Sequence, residues 1–257
     1  AAFMCSVCGN ESQKWAGFCH VCDARNTLVE IPKYLNSSPK AKNFGLPDTP
    51  ELLGNLASDV AQRRQPMNFH GLNQVLGGGF VPGSTILVAG EPGIGKSTLL
   101  LQLSQGLKLS VLYVSGEESK QQVELRYERL GMQQASVYFL AETSLELILQ
   151  NLHQFKPDLL IVDSIQTIES ELVTSSAGTV NQIRECASLL SHWAKKNNVV
   201  LLITGHVTKD GNIAGPKVLE HMVDVVLYIE GDPLGGMRFI RCTKNRFGST
   251  EEVAVLE

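Results

Sequence analysis

Eight consecutive residues, Gly90-Glu91-Pro92-Gly93-Ile94-Gly95-Lys96-Ser97, fit the pattern G-x-x-x-x-G-K-[S/T] in full, and with Thr98 directly after them they constrain the fold of this chain more than any other feature. Such a loop works only between a strand and a helix. Its glycines let the backbone curl until successive N–H groups point inward, and the following helix adds the partial positive charge of its N-terminus. Both flanks are present: Thr85–Ala89 reads as a strand and Leu99–Leu107 as an apolar helix. The chemistry implied is the binding of ATP or ADP through all nine residues. Lys96 is expected on the β- and γ-phosphates, Ser97 on Mg²⁺, and Thr98 near the α-phosphate.

Further strand-like runs follow at Val111–Val114, Val137–Leu140, Leu159–Val162, Val199–Thr204, Val225–Ile229 and Arg238–Thr243. They are short, β-branched and nearly continuous in apolar character, as strands covered on both faces must be. Helical patterns lie between them. One opens at Ser119 with Gln122 as a capping-box partner and closes at Gly131; another opens at Thr143 with Glu146 in the same relation; a third runs through 180–196. The alternation predicts an α/β fold with a doubly wound, mostly parallel sheet, and an antiparallel hairpin where the last two strands have no helix between them. Ahead of this core (67–257), residues 31–66 carry five prolines and read as a linker or arm, within which Leu52–Arg64 has the pattern of a short helix.

Strand ends supply the remaining chemistry, because ligands of an open α/β sheet lie beyond the carboxyl ends of its strands. Asp163 ends the run Leu159–Val162 and is placed to hold Mg²⁺ through water. Glu117 and Glu118 follow Val111–Ser115, and either can reach the γ-phosphate as the group that activates water. His206 ends the segment Leu201–Gly205 as a further candidate there. The segment Lys244-Asn245-Arg246-Phe247-Gly248 follows the hairpin at the sheet edge, where its cations are poorly placed for their own loop but suit a neighbour's nucleotide, as an arginine finger does.

Residues 1–30 have a different character. Cys5-x2-Cys8, ten residues, then Cys19-x2-Cys22 offers four soft ligands for tetrahedral Zn²⁺, and so small a segment needs a metal to fold. A redox pair or disulfides is the competing interpretation, and His20 is a spare ligand. Cys186 and Cys242 read instead as core-packed thiols of a reducing compartment. With a net charge of −4, the chain cannot coat nucleic acid by bulk charge, which leaves room only for a local basic surface. No apolar run is long enough to span a bilayer, and Ala1–Met4 lacks the basic-then-apolar pattern of a secretion signal, so a cytoplasmic location without membrane partners is expected.

Taken together, the four-cysteine start, Leu76–Ser84, the phosphate loop, Gly116–Ser119, Gly205–Gly211 and above all Lys244–Gly248 closely resemble the bacterial RadA (Sms) family over essentially the whole chain. The resemblance implies a RecA-like and DnaB-like ATPase core, a hexameric ring, and a DNA-dependent motor. Such a motor translocates on single-stranded DNA and branched recombination intermediates in concert with RecA recombinase. It further implies Glu117 as catalytic base, with Glu118 its neighbour, and Lys244 and Arg246 as a pair acting in trans. The segments 168–181 and 207–217 resemble the DNA-facing loops, making Arg184, Lys209 and Lys217 candidates for phosphate contact. Full-length members carry a further C-terminal domain resembling the Lon protease fold, so the chain reads as truncated at Glu257. An alternative of another class is an ATP-switched mediator that loads or regulates recombinase without moving along DNA. A clock-type regulatory ATPase is disfavoured by the cysteine module and by Lys244–Gly248.

Overall fold

Runs such as Ile86–Ala89 and Leu159–Val162 have no polar face, so strands built from them persist only where helices cover both sides of the sheet. That is the arrangement in the computed structural model, which describes residues 2–5, 11–12, 14–21, 23–26, 28–31, 64–105, 107, 109–132, 136–206, 219–232 and 236–256. The chain divides into two compact units, Ala1–Gly54 and Asn55–Glu257. In the first, β1 (Ala2–Cys5), β2 (Glu11–Ser12) and β3 (Leu28–Ile31) form an antiparallel sheet in the order β2-β1-β3.

The second unit runs α1 (His70–Val75), β4 (Thr85–Gly90), α2 (Lys96–Ser104), β5 (Val111–Ser115), α3 (Lys120–Arg129), β6 (Val137–Ala141), α4 (Leu145–Phe155), β7 (Leu159–Asp163), α5 (Val180–Asn197), β8 (Val200–His206), β9 (Val225–Gly231), β10 (Arg238–Asn245) and β11 (Val253–Leu256). Its eight strands lie in the order β11-β10-β9-β4-β8-β7-β5-β6, parallel from β9 to β6 and antiparallel through β10 and β11. The expected hairpin is β9–β10. Alternate residues of β4 feed two cores: Ile86 and Val88 pack with α1, α2 and Val123 of α3, while Leu87 and Ala89 pack with Ile148 of α4 and Leu190 of α5. Cys186 and Cys242 are buried as expected, and desolvation raises both thiols, Cys186 to about 12.

Local sequence sets most boundaries. Ser119 and Gln122 form the reciprocal capping box of α3, and Gly131, with φ of 64°, follows its last turn. The start of α4 differs from expectation by one residue. Ser144, not Thr143, is the cap, accepting from Leu147 N, because the Glu142 carboxylate takes the N–H groups of both Thr143 and Ser144 and holds Thr143 outside the helix. The edge strand β11 has no forecast in the sequence, since four residues with only Ala254 fully buried are too few for alternation to register.

Arg64 and Gln65, assigned to the linker from composition, make hydrogen bonds within the second unit. Arg64 donates to Leu76 O at 2.8 Å and Phe247 O at 2.7 Å, and Gln65 pairs with Phe80. The rest of the suggested helix at 52–63 lies outside the described residues. The pairing with Gln65 explains Gly79: a Cβ there, where φ is +126°, would stand 2.3 Å from Gln65 O. Gly79→Ala should therefore lower unfolding free energy by about 2 kcal/mol or more, read as a shifted midpoint in urea denaturation.

Candidate functional site

The order of the sheet reverses at β4: the chain moves outward to β5 and β6, fills back through β7 and β8, and then lays β9 on the other side. A crevice opens at the carboxyl end of a strand so placed, and the loop Gly90–Gly95 sits in it. The helix α2 begins immediately after Gly95, whose φ of +109° suits glycine, and no side chain caps its first turn. Its leading N–H groups therefore face the crevice with no side-chain acceptor. Lys96 is 4% exposed, and its ammonium donates to Gly90 O and Glu91 O, both at 2.9 Å. Burial pulls its pKa below the usual lysine range, and the nearby carboxylates of Asp163 and Glu117 oppose that shift.

Four strand ends meet there. In register, Gly90 lies beside His206, and Ser115 beside Asp163. Asp163, 7% exposed, accepts at Oδ1 from Thr204 Oγ1 at 2.6 Å and at Oδ2 from the Tyr113 hydroxyl. The buried Tyr113 phenol is pushed far above its ordinary range by desolvation and by the Asp163 charge, so it stays a donor. One donor on each oxygen still leaves lone pairs for a further ligand. Asp163 and the half-buried Ser97 are both hard oxygen donors of the kind that Mg²⁺ takes.

The two glutamates, equivalent in the sequence, are held differently. Glu118 forms a bidentate ion pair with Arg126 of α3 at 2.5 and 2.6 Å, and its own N–H donates to Ser115 Oγ. Glu117 accepts from Ser164 Oγ at 2.6 Å, on the residue after Asp163, and lies within electrostatic reach of Lys96. Tyr113, Ser164, Thr204 and Arg126 are site residues that motif reasoning passes over. The signal for Tyr113 and Thr204 was present: a polar atom inside a strand buried on both faces must find a partner. Beside Gly95, a cleft of about 510 Å³ is lined by Ile94, Thr98, Gln102, Ile229, Arg129 and Arg238, and among the described residues neither arginine has an ion-pair partner.

Other expected residues fall elsewhere. Because β10 is antiparallel to β9, Asn245 pairs with Val225 and Arg238 with Gly231. Lys244 and Arg246 thus lie at the amino-terminal edge of the parallel strands, the far end from the phosphate loop. Lys244 donates to Glu220 O and Val223 O, and Arg246 to Asp224. Arg184 is exposed on α5, beside a second cleft of about 550 Å³ that includes Leu172 and Asn181. The adjoining loop is pinned by Gln182, which donates to Ser170 O, Val173 O and Ser175 O. Lys209 and Lys217 lie outside the described residues, as do Cys8, Cys22 and the side chains of Cys5 and His206. Cys19 is buried, and the His20 ring packs edge-on to Phe18 at 4.9 Å. Among the described residues no three His, Cys, Asp or Glu side chains form a metal-binding group, so the zinc expectation has no structural support here.

Residues 49–212 match the family described as the AAA domain. The DNA repair protein RadA of Listeria monocytogenes is 49% identical over 99% of this chain, and that of Aquifex aeolicus is 46% identical over 100% of this chain. The chain belongs to the RadA family. It spans 56% and 57% of those two relatives' lengths. Among solved structures, the RadB recombinase has a TM-score of 0.57 at 20% identity over 73% of this chain and 93% of its own. A KaiC-like protein from Pyrococcus horikoshii has a TM-score of 0.56 at 19% identity over 76% of this chain and 99% of its own. At such identity the likeness shows the fold, a RecA-like α/β core with a mostly parallel sheet. Within this RadA-family core, Tyr113→Phe leaves Asp163 Oδ2 without a donor in a nearly dry setting. It should lower unfolding free energy by about 1–3 kcal/mol in chemical denaturation.

Proposed function

We propose that this chain is the ATP-hydrolysing core of a DNA-repair protein. In this reading it is a DNA-dependent ATPase that assembles as a hexameric ring on single-stranded DNA and branched recombination intermediates, in the cytoplasm, with RecA recombinase as partner. The observation that carries this reading is the convergence of Lys96, Asp163 and Glu117 on one sheet edge, while Glu118 is committed to Arg126. The names of the relatives, DNA repair proteins, supply the biological setting.

In the proposed mechanism the Gly90–Thr98 backbone and Lys96 grip the triphosphate, and the nucleoside extends into the cleft beside Thr98 and Gln102. Mg²⁺ would be held by Ser97 directly and by Asp163 through water, and would offset the phosphate charge. Tyr113 and Thr204 keep Asp163 oriented for that task. Glu117, steadied by the Ser164 hydroxyl, takes the proton of the attacking water. His206, which ends β8, would sense the γ-phosphate. Arg246, remote from its own loop, acts on a neighbour's nucleotide. Arg184, Lys209 and Lys217 contact the DNA backbone, and a ring gathers these few charges from each subunit into one channel despite the acidic chain. Cys5, Cys8, Cys19 and Cys22 would hold a structural Zn²⁺, whose four thiolates leave no open position.

Steady-state ATP hydrolysis with and without single-stranded DNA tests this reading. DNA should stimulate wild-type turnover, and Arg246→Ala should abolish the stimulation while nucleotide still binds. Glu117→Gln should lose about 10²-fold or more in turnover, and Glu118→Gln far less. Hydrolysis indifferent to DNA would favour the mediator reading instead, and wild-type turnover in Glu117→Gln would exclude Glu117 as base. A chelator should release one Zn²⁺ per chain, measured by a colorimetric zinc indicator; zinc-free, fully folded protein would refute that site.

A further inference from the structure

Asp224, just ahead of β9, is 3% exposed, and an acid so buried is stable only if its oxygens find donors. Both do. Oδ2 accepts from Thr85 N at 3.0 Å, and Oδ1 accepts from Lys195 Nζ at 3.3 Å and Arg246 Nη1 at 3.1 Å. The Asp224 main chain joins the same grip, its N–H donating to Thr85 O and its carbonyl accepting from Arg246 N at 3.1 Å. Arg246 is thus tied to one residue at two points, backbone and guanidinium, which fixes the direction in which its side chain leaves the sheet.

The two cations of this segment differ in what they have left to give. Lys244 spends two of its three N–H donors on the carbonyls of Glu220 and Val223, at 2.6 and 2.8 Å. Arg246 is 53% exposed and has one of five guanidinium N–H groups engaged by Asp224, so the rest of the fork is open to solvent or to another chain. Its own phosphate loop is out of reach, because Thr85 to Gly90 spans about 17 Å of strand between the two ends of β4.

We propose that Asp224 is a positioning residue: it aims the open edge of Arg246 at the nucleotide of an adjacent subunit, while Lys244 anchors the segment 220–224 that carries Asp224. The proposal rests on the trans role of Arg246 given above. The plain structural role for Asp224 is to accept the Thr85 N–H at the start of β4, and asparagine would fill that role equally well.

Asp224→Asn tests the difference, since it keeps an acceptor for Thr85 N and removes the charge that holds Arg246. It should bind a fluorescent ADP analogue with wild-type Kd, yet lose about 10²-fold in turnover, the scale of a displaced catalytic group. Combined with Arg246→Ala it should be no slower than Arg246→Ala alone. Mixing Asp224→Asn chains with Lys96→Ala chains should restore turnover above either parent. In the mixture the first chain supplies an intact nucleotide site and the second a correctly aimed arginine. Wild-type turnover in Asp224→Asn, with Arg246→Ala inactive, would overturn the positioning role and leave the trans role standing. Wild-type turnover in Arg246→Ala would overturn both. Should Asp224→Asn fail to fold, Asp224→Glu keeps the charge but displaces it by one methylene, and unimpaired turnover there would equally refute the proposal.

Discussion

The buried carboxylate of Asp163 is the group around which the rest of the site is arranged. A charge at the end of a strand covered on both faces would be very unfavourable alone. Here each oxygen has a donor, one from Tyr113 on β5 and one from Thr204 on β8, the strands on either side of β7. The bonds that stabilise the acid therefore also tie together three strand ends. The next strand over from β8 carries the phosphate loop. The buried Lys96 sits within the field of that same acid, so the positive and negative centres of the site offset each other's burial.

This arrangement separates two glutamates that are adjacent in the chain. Side chains of neighbouring residues leaving a strand point in different directions. Glu118 turns toward α3 and meets Arg126, and Glu117 turns toward Ser164. One becomes part of the scaffold that fixes the entry to α3. The other stays within electrostatic reach of Lys96. The same logic operates at the opposite edge of the sheet, where Asp224 joins β4, α5 and the end of β10 through Thr85, Lys195 and Arg246. Each end of the sheet thus has a buried acid that couples strands to cations, one at the phosphate loop and one on the far side.

Much of this was legible beforehand because its signals are local. The phosphate loop, the seven core strands and the capping box at Ser119 each depend on a few contiguous residues whose backbone requirements are read directly from their types. The start of α4 was misplaced by one residue because Glu142, a neighbour with no standing in a capping-box pattern, claims the N–H of Thr143. The edge strand β11 was missed because its four residues are too few for alternation to register, and what holds it is pairing with β10 and packing of Ala254 in the core. Arg64 and Gln65 looked like linker because their hydrogen bonds run to Leu76, Phe80 and Phe247, far along the chain.

The sequence by itself determined that a strand, a curled glycine loop and a helix follow in order, and that acids terminate neighbouring strands. Those features follow from side-chain type and spacing alone. Only the tertiary structure decided which glutamate pairs with Arg126 and which with Ser164, which hydroxyls hold Asp163, and that Lys244 and Arg246 stand at the far edge from the loop. Such facts depend on strand order and direction, which bring together residues 40 or more positions apart, as Tyr113–Asp163, Thr204–Asp163 and Glu117–Ser164 show. No local preference in the chain encodes those encounters; the packing of the sheet between its helices does.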